Sequence, residues 1–205
     1  MSLRHAILGV LSAEPMSGYD LVQLFDSSVA FVWSAPQSQI YPKLREMERE
    51  GLVEANVLPR GQRAEKRVYS ITAAGERELE DWANRVVAHG PFRDAVSLKA
   101  AFFDIASPDS VRAQLDDHVA YYERARRQWQ NIAEAIRERR AALIRKRLEK
   151  RPPGDHDALI GFKALAFDRL VALADAELAW AARALELLDQ LEPALRSRAD
   201  ERRTG

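Results

Sequence analysis

Between Ser38 and Gly75 the chain passes from a short amphipathic helical pattern straight into two strand-like runs, and that order leaves few folds open. The helical pattern puts Ile40, Leu44 and Met47 on one side, turns Lys43, Arg45 and Arg49 outward, and stops at Gly51. The strand runs cover residues 52–58 and 66–72, joined by the basic segment 59–65. A helix of this size fits a DNA major groove, and a cationic ribbon beside it can grip phosphate. The layout is that of a winged helix-turn-helix.

Composition narrows the alternatives. At 205 residues the chain can hold one large or two small cores, and 47% apolar with 30% charged residues describes a folded globular protein. There is no cysteine, so disulfides, thiolate metal sites and cysteine nucleophiles are excluded. The first apolar stretch, Ala6 to Leu11, is far shorter than a membrane span and continues into helical pattern, so neither a signal peptide nor a membrane span is expected.

The net charge is zero, which argues against a nucleic-acid partner until its distribution is read. Residues 1–90 carry ten basic and twelve acidic side chains, yet residues 59–67 hold Arg60, Arg63, Lys66 and Arg67 against Glu65 alone. The positive charge of this half therefore concentrates in the hairpin. A second basic run, Arg137 to Arg151, has eight cations against two acids; it closes a long helical pattern and is read as a solvated helix end.

Helical stripes precede the motif at Leu3–Leu11 and from Ser17, an expected N-cap, through Phe25. Val29 to Trp33 reads as a short strand or buried connector. Pro42 requires the third helix to start near Gln37 to Gln39. Thr72 caps a helix that runs through Val86 and Val87, and His89-Gly90-Pro91 marks a joint. Beyond it all signal is helical: a long helix opened by Ser107-Pro108, a break at Pro152-Pro153-Gly154, and a second long helix to Pro193. Two long antiparallel helices with heptad-like stripes need a partner subunit to cover them. The fold class expected is mainly α with a small β-wing. A winged helix-turn-helix DNA-binding domain occupies residues 1–90, an antiparallel helical dimerisation domain 91–193, and a charged, disordered tail 194–205.

Gln37, Ser38, Gln39, Tyr41 and Lys43, at the front of the third helix, are of the types that hydrogen-bond base edges and phosphates. The wing adds Arg60, Arg63, Lys66 and Arg67 as phosphate contacts. Tryptophans on helical stripes usually serve cores. Trp180 stands off the main stripe and, with Trp33, is the candidate to stack on a small aromatic or hydrophobic effector. The four histidines are scattered, and no phosphate loop, nucleophile elbow or zinc-helix pattern occurs, so no catalytic residue, metal or cofactor is expected. The alternative function is a winged helix that binds protein without specific DNA binding.

The chain resembles PadR-type transcriptional regulators. The resemblance is carried by residues 6–11 with Pro15-Met16-Ser17-Gly18-Tyr19-Asp20-Leu21, by Ile40-Tyr41-Pro42-Lys43-Leu44, by Glu48-Arg49-Glu50-Gly51-Leu52-Val53, and by Tyr69-Ser70-Ile71-Thr72-Ala73-Ala74-Gly75. It covers about the first 80 residues closely, and the helical remainder resembles the longer dimerisation domain of one branch. It implies a bacterial, cytoplasmic homodimer that represses genes at an inverted repeat of double-stranded DNA and lets go when an effector binds. By the same analogy residues 40–43 enter the major groove and residues 60–67 meet the neighbouring minor groove or backbone. The sequence departs from the common pattern at Ser38-Gln39, where relatives often carry Gly-Ser, and in the wing, which reads Arg60-Gly61-Gln62-Arg63.

Overall fold

A computed structural model of the chain describes residues 3–27, 36–60, 64–87, 90–91 and 93–204. Its elements are α1 (Leu3–Leu11), β1 (Met16–Ser17), α2 (Gly18–Ser27), α3 (Gln37–Arg49), β2 (Val53–Arg60), β3 (Ala64–Ile71), α4 (Ala73–Asn84), α5 (Ala95–Ala100), α6 (Pro108–Arg137), α7 (Ala142–Glu149) and α8 (His156–Thr204). The chain is mainly helical with one small antiparallel sheet, ordered β1-β3-β2, as the sequence leads one to expect. It divides into two compact units, Met1–Val87 with Ala135–Lys163 and Ala88–Glu134 with Ala164–Gly205. No described helix is long and apolar enough to cross a membrane. Val29 to Trp33, the expected strand or connector, lies outside the described residues.

In the first unit α1, α2 and α3 each give one apolar stripe to a common core, in which Ile7, Leu8, Leu11, Leu21, Phe25, Ile40, Leu44 and Met47 are fully buried. Each such side chain contributes roughly 1.5–3 kcal/mol of apolar burial, so the spacing of Ile40, Leu44 and Met47 alone fixes which edge of α3 faces solvent. The helix begins at Gln37 after the extended Pro36, where the sequence places it. Pro42 falls in the second turn, where it offers the Ser38 carbonyl no amide four residues on. At the other end the Gly51 amide donates to the Glu48 carbonyl and the Leu52 amide to the Met47 carbonyl, at 3.1 and 2.9 Å. That pattern needs a left-handed residue, and Gly51 supplies it at φ 71°.

The hairpin pairs Val53 with Ile71 and runs out to Arg60 opposite Ala64. Ser17 pairs with Val68 in the third strand, and its hydroxyl also accepts the Asp20 amide at 3.2 Å, capping α2. Thr72 caps α4 by accepting the Gly75 amide at 3.2 Å, while its hydroxyl donates to the Gly51 carbonyl at 2.6 Å. One side chain thus joins the end of α3 to the start of α4. α4 stops at Asn84, short of the expected Val87, because Arg85 turns extended and the β-branched Val86 and Val87 find no burial to hold them helical.

The long helical pattern after Pro108 is interrupted. α6 ends at Arg137, Arg139 takes φ 57°, and the Ala135 carbonyl accepts the amides of both Arg140 and Ala141. No glycine or proline announces this turn. The basic run is not simply solvated: in α7 the Arg147 guanidinium donates to the Gly9 carbonyl, Lys150 Nζ to the Ser12 carbonyl at 3.5 Å, and Lys146 Nζ lies 3.9 Å from Glu14. These cations meet the C-terminal end of α1, where partial negative charge collects, which is why residues 135–163 cluster with the winged helix.

In the second unit α6 and α8 run antiparallel, tied by Arg112 to Asp189 and Glu192, His118 to Glu177 at 3.2 Å, and Arg126 to Asp175 at 2.7 Å. Val111, Leu115 and Leu188 are buried between them, with Trp180 and Leu195 packed alongside. The tail differs from expectation: α8 passes through Pro193 and continues to Thr204. Pro193 removes only one helical hydrogen bond. Beyond it Leu195 reaches the apolar cluster, and Arg196 is clamped by Glu192 at 2.7 Å and Asp109 at 2.6 Å.

Candidate DNA interface and ligand cavities

The front of α3 is open to solvent. Gln37, Ser38 and Gln39 are exposed in its first turn, because the buried stripe begins only at Ile40. Tyr41 is half-buried against the same core and presses on Gly18, where an added Cβ would stand 2.5 Å from its ring. Tyr41 therefore sets the spacing between α2 and α3, which its sequence position did not disclose. Lys43 lies half-buried, its Nζ 2.6 Å from Glu46 Oε2.

On the wing, Arg60 closes β2 at the hairpin end, and Arg63 lies outside the described residues. Lys66 Nζ stands 3.1 Å from Asp20 Oδ2 on α2. Arg67 Nη2 donates to both carboxylate oxygens of Glu48 on α3, at 2.6 and 2.8 Å, and its guanidinium lies 5.9 Å from the Tyr69 ring centroid. The wing is thus bound to both helices of the motif. Sequence reasoning named the cations and missed the acids that hold them, since these partners are separated by 19 and 46 positions and no local pattern couples them.

Asp20 is held below the usual carboxylate range, first by the Ser17 hydroxyl and then by Lys66, with burial opposing. A carboxyl with a depressed native pKa stabilises the fold fully above its ordinary value of 3.8, and that stabilisation is lost as pH falls through the native value. Asp20→Asn should accordingly cause a slight loss of stability above pH 3.8 and flatten the acid limb, so that variant and wild type converge as pH falls, as read by urea denaturation at stepped pH. The pair is exposed, so the change is small.

In the second unit Trp180 is half-buried and lines two adjoining cavities. One, of about 610 Å³, is walled by Phe103, Val111, Leu187, Leu188 and Leu191 with Trp180. The other, of about 400 Å³, shares Trp180 and Phe103 and adds Leu115, His118, Tyr121 and Lys99. The His118 ring stands edge-on to Trp180 at 5.2 Å and tilts against Tyr122 at 4.7 Å, while its Nε2 is 3.2 Å from Glu177. Burial raises the Tyr122 hydroxyl above its ordinary value, helped by Glu177. Trp33 lies outside the described residues. Trp82 stacks on His5 at 4.8 Å and Trp129 is buried, so both serve packing. Among the described residues no group of three or more His, Cys, Asp or Glu side chains could hold a metal ion.

Three short helices, the third of recognition type, and an antiparallel hairpin that follows it define a winged helix-turn-helix protein. Residues 7–81 match the model of the Transcriptional regulator PadR-like family. It is 37% identical to the negative transcriptional regulator PadR of Bacillus subtilis over 51% of this chain and 58% of that protein. A probable transcriptional regulator of Mycobacterium tuberculosis is also 37% identical, over 52% of this chain and 57% of that protein. The chain therefore matches a little over half the length of these curated relatives.

Solved structures extend the likeness to the helical part. Bacillus subtilis PadR in complex with operator DNA aligns with a TM-score of 0.70 and 25% identity, covering 91% of this chain and 98% of that one. The same protein in complex with p-coumaric acid aligns at 0.67 with the same identity and coverage. The Vibrio cholerae virulence activator AphA aligns at 0.67 with 29% identity, covering 93% and 99%.

Proposed function

We propose that the chain is a sequence-specific DNA-binding transcriptional regulator, a homodimeric repressor that leaves an inverted-repeat operator when a small molecule binds. The observation that carries this is the exposed polar front of α3 beside a wing strand whose Arg67 reaches back to that same helix. In this reading residues 1–90 bind DNA. Gln37, Ser38, Gln39 and Lys43 meet base edges and phosphates, with Tyr41 holding α3 in place, and Arg60, Arg63, Lys66 and Arg67 contact phosphate. Residues 91–193 dimerise the protein: Leu98, Phe102, Ile105, Leu187 and Leu191 leave a good deal of apolar surface exposed in the single chain. The complex of the Bacillus relative with operator DNA supports the partner. Regulation then acts by binding alone, without a catalysed step or cofactor, in the bacterial cytoplasm where the chromosome lies.

The effector is read as a small aromatic or hydrophobic molecule held against Trp180. Its support is the pair of cavities that both take Trp180 and Phe103 into their walls, together with the p-coumaric acid complex of the relative. A phenolic probe such as p-coumarate should quench tryptophan fluorescence, and Trp180→Phe should abolish the quench while leaving DNA binding intact. A quench that persists in the variant would move the ligand elsewhere. Gel shift on the region upstream of the protein's own gene tests the main reading. Binding should favour that region over scrambled DNA and weaken steeply with salt, and indifference to both would refute it.

A further inference from the structure

Three of the cations that the first unit offers to phosphate, Lys43, Lys66 and Arg67, are already engaged by acids of the same unit. Lys43 sits on Glu46, Lys66 on Asp20, and Arg67 spans both oxygens of Glu48. The acids come from two helices, Asp20 from α2 and Glu46 and Glu48 from α3, so the pairing is not an accident of one turn. The Arg67 and Lys66 side chains are 50% and 41% exposed, which leaves each pair open to exchange with an incoming phosphate. Exposed pairs of this kind bias an equilibrium by only about two- to five-fold.

A phosphodiester and a carboxylate compete for the same donors. When Arg67 moves from Glu48 to phosphate, the carboxylate is left uncompensated beside a polyanion. That cost arises on every DNA, whatever its sequence. The exposed Gln37, Ser38 and Gln39 of α3 offer base contacts that only the right sequence rewards. We infer that Glu48 and Asp20 restrain DNA affinity: they compete with DNA phosphate for Arg67 and Lys66, and thereby weaken binding to every duplex by a similar factor, leaving the base contacts of α3 to decide which sequence is held. Glu46 is the lesser member, since Arg4 also holds it at 2.9 Å. The zero net charge of the chain fits such restraint. This rests on the DNA-binding reading above.

The test compares full-length wild type, Glu48→Gln and Asp20→Asn by fluorescence anisotropy on two duplexes of about 30 base pairs, one from upstream of the protein's own gene and one scrambled. Each variant should bind both duplexes about two- to five-fold tighter, by a similar factor, with the preference for the upstream duplex kept. The logarithmic salt dependence should steepen by up to about one, because no freed carboxylate recaptures a cation. Scrambled binding that is unchanged in both variants overturns the inference. So does weaker binding, which would make Glu48 a group that positions Arg67 for phosphate. A wild-type chain that binds neither duplex at low salt overturns the DNA reading itself, and this inference with it.

Discussion

Replacing Gly75 by alanine should destabilise the winged-helix unit by about 3 kcal/mol, the upper part of the usual overpacking range. A Cβ at this position would run into the Leu52 carbonyl and approach Ile71 Cγ1 to 2.9 Å. The first of these obstacles is backbone and cannot rotate away. Leu52 is fixed from the other side too, because its amide closes the end of α3 on Met47 and its carbonyl accepts the Thr72 amide at 3.1 Å. Relief must therefore come from shifting α4 as a whole or from opening the junction between α3 and the hairpin. Thermal unfolding followed by circular dichroism should show the loss, and DNA affinity should fall with it even though Gly75 touches none of the proposed contacts. A variant as stable as wild type would mean that the α3-to-α4 junction is looser than drawn.

Reversing the wing charge should do the reverse, sparing the fold while disabling the proposed interface. The double variant Lys66→Glu and Arg67→Glu is expected to weaken binding to all DNA by about 100-fold, and to lower the salt slope by about two, since two phosphate contacts are lost and two repulsions gained. Stability should change little, because the two side chains form exposed pairs with Asp20 and Glu48. Gln39→Ala supplies the contrast: preference among sites should change with the salt slope kept. Anisotropy titrations at stepped salt separate the two patterns. If both variants behave alike, base reading and phosphate gripping have been assigned to the wrong elements.

What could be read from the residues was what local chemistry determines. The burial of Ile40, Leu44 and Met47, the stop at Gly51, the hairpin, and the caps at Ser17 and Thr72 follow from spacing and from side chains acting within four positions. What escaped depends on distant partners. Arg139 turns left-handed without being glycine, held by amides that close on Ala135, so the break between α6 and α7 left no mark in the sequence. The basic run after it was read as solvated because nothing near it reveals that the carbonyls of Gly9 and Ser12 await it. Arg196, 87 positions from Asp109, keeps the chain helical past Pro193 for the same reason. In the candidate site the cations were legible and their acids were not. Trp180 could be singled out by its place off the apolar stripe, whereas Phe103 and His118, which share its cavities, could not.

The most direct test of the central claim is a hydroxyl-radical footprint of the full-length protein on its own upstream region. The account predicts two symmetric protected half-sites, centred about one helical turn or a small multiple apart, that vanish together in the Lys66→Glu, Arg67→Glu variant. Protection of a single unpaired site, or a footprint that the charge reversal leaves intact, would contradict it.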